Sequence, residues 1–70
     1  MNCRALKAKL VLNSISMGEL AAMLGISRSA LFRKLNGRSE FTQSEISQIA
    51  KILHLDAEEI SLIFFDEEVS

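Results

Sequence analysis

The sequence predicts an all-α fold, a compact five-helix domain over residues 1–70. Three observations carry this expectation. The chain has no Pro and only three Gly, and it is rich in Leu, Ile, Ala, Glu, Lys and Ser, a composition that favours helices joined by short turns. Its apolar residues recur at helical spacing, with no strand-like alternation of useful length. One helix-start pattern also recurs: an apolar residue, a capping residue, two others, then usually Glu followed by another apolar residue. A domain this short buries only roughly 60% of its unfolded surface, so its core must be efficient or shared with a partner.

The first helix is expected over 2–12, with Leu6 and Leu10 inward and Asn13 as its stop. The second, over 17–24, opens with Ile15-Ser16-x-x-Glu19-Leu20 and closes on Gly25, which suits a left-handed terminal position. The third, over 28–36, opens with Ile26-Ser27-x-x-Ala30-Leu31 and closes on Gly37. The fourth, over 43–53, opens with Phe41-Thr42-x-x-Glu45-Ile46 and places Ile46, Ile49, Ala50 and Leu53 at helical spacing. The fifth, over 57–65, opens with Leu55-Asp56-x-x-Glu59-Ile60. In each complete copy the cap oxygen can accept from the amide three residues on, while Glu reaches back to the cap's own N–H and the flanking apolar pair forms a staple. The third copy lacks the acid and carries Arg28 at its first helical position, which is mildly unfavourable for an isolated helix. A helix start without an acid suits an anion, and local preference is expected to yield where function intervenes.

Charge divides sharply along the chain. Residues 1–38 hold Arg4, Lys7, Lys9, Arg28, Arg33, Lys34 and Arg38 against Glu19 alone. Residues 39–70 hold Lys51 against eight acids, which brings the formal net charge to −1. The asymmetry points to a basic face for a polyanion, with an acidic part directed away from it. The single cysteine, Cys3, cannot form an internal disulfide, and with one histidine, His54, it makes no zinc site. No metal and no cofactor is expected. An enzyme reading has no support, for no nucleophile–base pairing, metal cluster or phosphate loop is visible. No apolar run approaches a membrane span and the N-terminus lacks a signal-peptide core, so the expected compartment is the cytoplasm.

Only Gly25-Ile26-Ser27 separates the second helix from the third, and such a link makes two short helices cross as a helix-turn-helix. Ala21 is small where the third helix must approach, and Leu20, Leu24, Ile26, Leu31 and Leu35 form the apolar seam. Advancing roughly 100° per residue from Arg28 puts Leu31 and Leu35 on one side and Ser29, Phe32, Arg33 and Asn36 on the other. Lys34 falls near the core edge, from which its ammonium is expected to reach outward.

The run SMGELAAMLGISRSALFRKLNGR resembles the helix-turn-helix of small phage repressors, the Cro-like and lambda-repressor-like DNA-binding domains. The likeness covers nearly the whole chain, including FTQSEI and the ILHLDAEEI junction; KLNGR, FTQSEI and IFF look most like short Cro-like proteins of bacteriophages and prophages. It implies a cytoplasmic, nucleoid-associated transcriptional repressor in a bacterial host, acting by occupying a double-stranded operator. It implies Arg28, Ser29 and Arg33 as base readers, and Ser16, Met17, Ser27, Lys34, Asn36 and Arg38 as the residues that meet phosphates. Many relatives carry Gln where this chain has Met17, so the contact there falls to backbone N–H groups or to Ser16. Phe32 is open between two roles, meeting a thymine methyl or packing at the core edge on helix 1, and the second is preferred.

The ending LIFFDEEVS raises a burial problem, because one helix face cannot take both Phe64 and Phe65 into the same core. A homodimer through Leu62, Phe64, Phe65 and Val69, in a tail at about 60–70, solves it and matches a palindromic operator. The other class of function left open is a protein-interaction module, such as an antirepressor or dimerisation partner, that keeps the fold without specific DNA binding.

Overall fold

Every helix begins where a short polar side chain holds an N–H that the helix itself leaves unpaired. In the computed structural model, which describes residues 2–65, the elements are α1 (Cys3–Leu12), α2 (Met17–Leu24), α3 (Arg28–Leu35), α4 (Gln43–Leu53) and α5 (Ala57–Phe64). The fold is all-α, with no strand among the described residues. Ser16, Ser27, Thr42 and Asp56 cap α2 to α5, each accepting from the N–H three residues on. Glu19, Glu45 and Glu59 accept in return from the cap residues' own N–H groups. In α3, Ala30 leaves that second bond unmade. Asn2, which the recurring pattern does not include, caps α1 by accepting from the Ala5 N–H at 3.1 Å. Each cap of this kind stabilises its helix by about 1 kcal/mol.

Three bounds differ from expectation by one residue, for local reasons. Asn2 is a cap rather than a helical residue. Asn36 has left the helix at φ −90°, ψ 8°, and Phe65 at φ −121°, ψ 21°. Gly25 and Gly37 take left-handed conformations, at φ +75° and +80°, and reverse the chain after α2 and α3. Ser14 and His54 do the same at φ 56° without glycine's freedom. His54 thus ends α4 as an exposed left-handed cap, with the Leu55 N–H donating to the Ala50 carbonyl at 2.9 Å.

All five helices feed one core. Its most deeply buried side chains are Leu6 of α1, Leu20 of α2, Leu31 of α3, Ile49 and Leu53 of α4 and Ile63 of α5. Burying each is worth about 1.5–3 kcal/mol, and truncation of any one to Ala would cost about 2–5 kcal/mol. Ala21, 1% exposed, gives α3 its close approach to α2. Ile15, Ile26, Phe41 and Leu55, the residues before the caps, pack on the edge of this core as staples. The two ends of the described chain meet: the Asn2 N–H donates to the Ile63 carbonyl at 2.7 Å, and Lys9 of α1 pairs with Glu59 of α5.

Candidate nucleic-acid interface

The basic face is assembled by two local devices. The Ser27 cap starts α3 immediately after the turn, so that Arg28 stands at the head of the helix, beside the first turn of α2. A Cβ on Gly18 would sit 3.6 Å from Cδ of Arg28, so the arginine stem lies across this glycine. At the other end, Gly37 turns the chain back and the Arg38 N–H donates to the Arg33 carbonyl at 2.9 Å. That turn brings Arg38 beside the helix instead of letting it run on. Arg28, Ser29, Phe32, Arg33 and Arg38 together line one shallow concavity.

The electrostatics of this concavity are one-sided. The ion pairs among the described residues are Lys9–Glu59 and Lys34–Glu45. Arg28, Arg33 and Arg38 therefore have no carboxylate partner among the described residues, and all three are exposed. Three guanidiniums on one face, without an acid to neutralise them, attract a polyanion. The two helix starts differ in the same sense. Glu19 sits on the cap of α2, accepting from the Ser16 N–H at 2.8 Å, whereas the first turn of α3 has no acid.

The expected phosphate residues are placed unequally. Ser27 and Asn36 cap the two ends of α3 and are exposed. Ser16 is exposed, with its hydroxyl oxygen accepting from the Glu19 N–H. The Met17 side chain is half-buried against the core, which leaves its backbone as the part able to meet a phosphate. The outward reach expected of Lys34 is not what the fold provides. Its ammonium donates to Glu45 Oε1 at 3.0 Å and to the Glu40 carbonyl at 3.1 Å, and lies 5.7 Å from the Phe41 ring centroid. Its side chain and that of Glu45 are each only 14% exposed, so the pair is a brace between α3 and α4. Burial pushes the Glu45 carboxyl up, but the Thr42 N–H and the Lys34 ammonium bring it below the usual glutamate value.

Phe32 corrects the preference for core-edge packing. Leu31 and Leu35 already fill the inward side of α3, and the ring is 60% exposed among the arginines. Its exposure agrees with helical spacing, which places it on the outward side of α3. In α5, Phe64 turns inward, its ring edge-on to Phe41 with centroids 5.5 Å apart. It is half-buried and packed against the core. Leu62 and Phe65 are 51% and 58% exposed. Val69 lies outside the described residues.

Among the described residues no group of His, Cys, Asp and Glu is placed to hold a metal, and no helix is long and apolar enough to cross a membrane. A helix-turn-helix family model matches residues 6–60, from the middle of α1 into α5. No curated protein and no solved structure matches the chain.

Proposed function

Because the chain belongs to the lambda-repressor-like helix-turn-helix family of DNA-binding transcription regulators, we propose that it represses transcription by occupying a specific operator, as a Cro-like phage or prophage protein. In this reading α3 enters the major groove. Arg28 and Arg33 donate in pairs to guanine O6 and N7, each good pair worth about 1–3 kcal/mol of discrimination, and Ser29 contacts a neighbouring edge. Ser27, Asn36, Arg38, Ser16 and the Met17 N–H hold phosphates and set the register. Lys34 is left out of this set, because its ammonium is committed to Glu45. Two copies meeting through Leu62 and Phe65 present two such helices to a palindrome. The protein acts by binding alone, without catalysis or cofactor.

The observation that carries this proposal is the set of three arginines on one exposed face of the turn and α3, without a carboxylate partner among the described residues. Its test is duplex binding at two salt concentrations. Affinity is expected to fall steeply with salt, as phosphate neutralisation requires. Arg33→Ala is expected to relax base preference, whereas Arg38→Ala weakens all sequences alike and lowers the salt slope by about one. Binding that is undetectable, or indifferent to salt, would favour the protein-interaction module instead.

A further inference from the structure

Burying a phenylalanine ring is worth about 1.5–3 kcal/mol, yet this small domain leaves Phe32 60% exposed. Other apolar side chains are exposed too, Val11 and Leu12 more so. What separates Phe32 from them is its seat. It lies one turn after Arg28 and Ser29 and next to Arg33, and it lines the same concavity as these residues and Arg38. A ring in this place adds nothing to the core, which Leu31 and Leu35 complete at 1% and 6% exposure.

We propose that Phe32 is a specificity-determining residue, whose ring packs against the C5-methyl group of a thymine in each operator half-site. The inference rests on the reading of α3 as the element that enters the groove, and it names part of the sequence which that element selects. In the major groove the base edges offer hydrogen-bond donors and acceptors, and thymine adds the C5-methyl, an apolar group. The arginines around Phe32 can answer the acceptors of guanine. A phenyl ring can make neither kind of hydrogen bond, so the methyl group is the feature it can select. The half-site therefore combines guanines, facing Arg28 and Arg33, with a thymine facing Phe32 between them.

The methyl can be removed without changing base pairing, by placing uracil for thymine. Duplexes enriched by the protein from a randomised library are resynthesised with uracil at one thymine at a time, and binding to each is measured. One thymine per half-site is expected at which uracil weakens binding roughly fourfold, the effect of one buried methyl-sized group. At that position 5-methylcytosine is tolerated better than cytosine. Phe32→Ala, at an exposed site and expected to fold normally, binds the thymine and uracil duplexes alike, and Phe32→Leu keeps part of the difference. The proposal is overturned if every uracil substitution is neutral, or if its cost is the same in Phe32→Ala. Failure to enrich any sequence would bring down the DNA-binding reading and this proposal with it. Enrichment without a methyl-sensitive position would bring down the role of Phe32 alone.

Discussion

Ala30 stands where Glu19, Glu45 and Glu59 stand in α2, α4 and α5, and the difference is one carboxylate at the head of α3. Stability alone favours Glu there, since it completes the capping box and suits the helix dipole by about 0.3–1 kcal/mol. A polyanion against Arg28 favours its absence. Ala30→Glu is therefore expected to raise the thermal midpoint by a few degrees while lowering duplex affinity several-fold, both measured on the same preparation. Unchanged affinity would mean that the missing acid has nothing to do with DNA. At this scale the sequence was most legible where chemistry is local: Ser27, Arg28 and Gly37 take the positions that their types predict. It was least legible at Phe32 and Lys34. The core-edge role for Phe32 runs against helical phase, which puts the ring outside. Lys34 was misjudged because its partners, Glu45 and the Glu40 carbonyl, come from a later segment whose approach no spacing within α3 reveals.

Between elements, the Lys34–Glu45 pair ties α3 to the start of α4. Lys34 reaches from α3 to the Glu45 that also closes the cap of α4, so one carboxylate serves both the start of α4 and the placement of α3. Its folded pKa is depressed. The stability it contributes is therefore present above its unfolded value, about 4.5, and is lost as pH falls through the lower folded value. Glu59, held down first by Lys9 and then by the Asp56 N–H, acts in the same direction. Unfolding midpoints followed from neutral pH downward are expected to stay level and then drop below about pH 4.5. Glu45→Gln should lower the neutral plateau and make the drop shallower without abolishing it. An acid limb identical in slope to that of the parent protein would show that the brace carries no proton-linked stability. The helix starts themselves were readable because caps are sequence-local, and their ends were less so. Gly25 and Gly37 announce a left-handed turn, but Ser14 and His54 make one as well, held by the Leu10 and Ala50 carbonyls rather than by their own conformational preference.

For the molecule as a whole, the basic and the apolar surfaces are built from different elements. The arginine concavity belongs to the turn and α3, and the exposed Leu62 and Phe65 belong to α5. The fold was legible because every helix contributes a leucine or isoleucine to one core at the spacing its sequence shows. Which of two adjacent phenylalanines faces inward was not, since it depends on where Phe41 arrives from the loop before α4. The pairing of copies remains a proposal with a direct consequence: a twofold protein selects a twofold site. Operator reading by α3 is tested most directly by selection of duplexes from a randomised library by this chain. The expected product is a palindrome with guanine-containing half-sites about 34 Å apart, one helical turn. Phe65→Ala is expected to weaken its capture by weakening the pairing, and Arg33→Ala to lose the preference for guanine. A library that returns unenriched, or enriched sequences without twofold symmetry whose preference survives Arg33→Ala, would contradict the claim that α3 reads an operator as one of a pair.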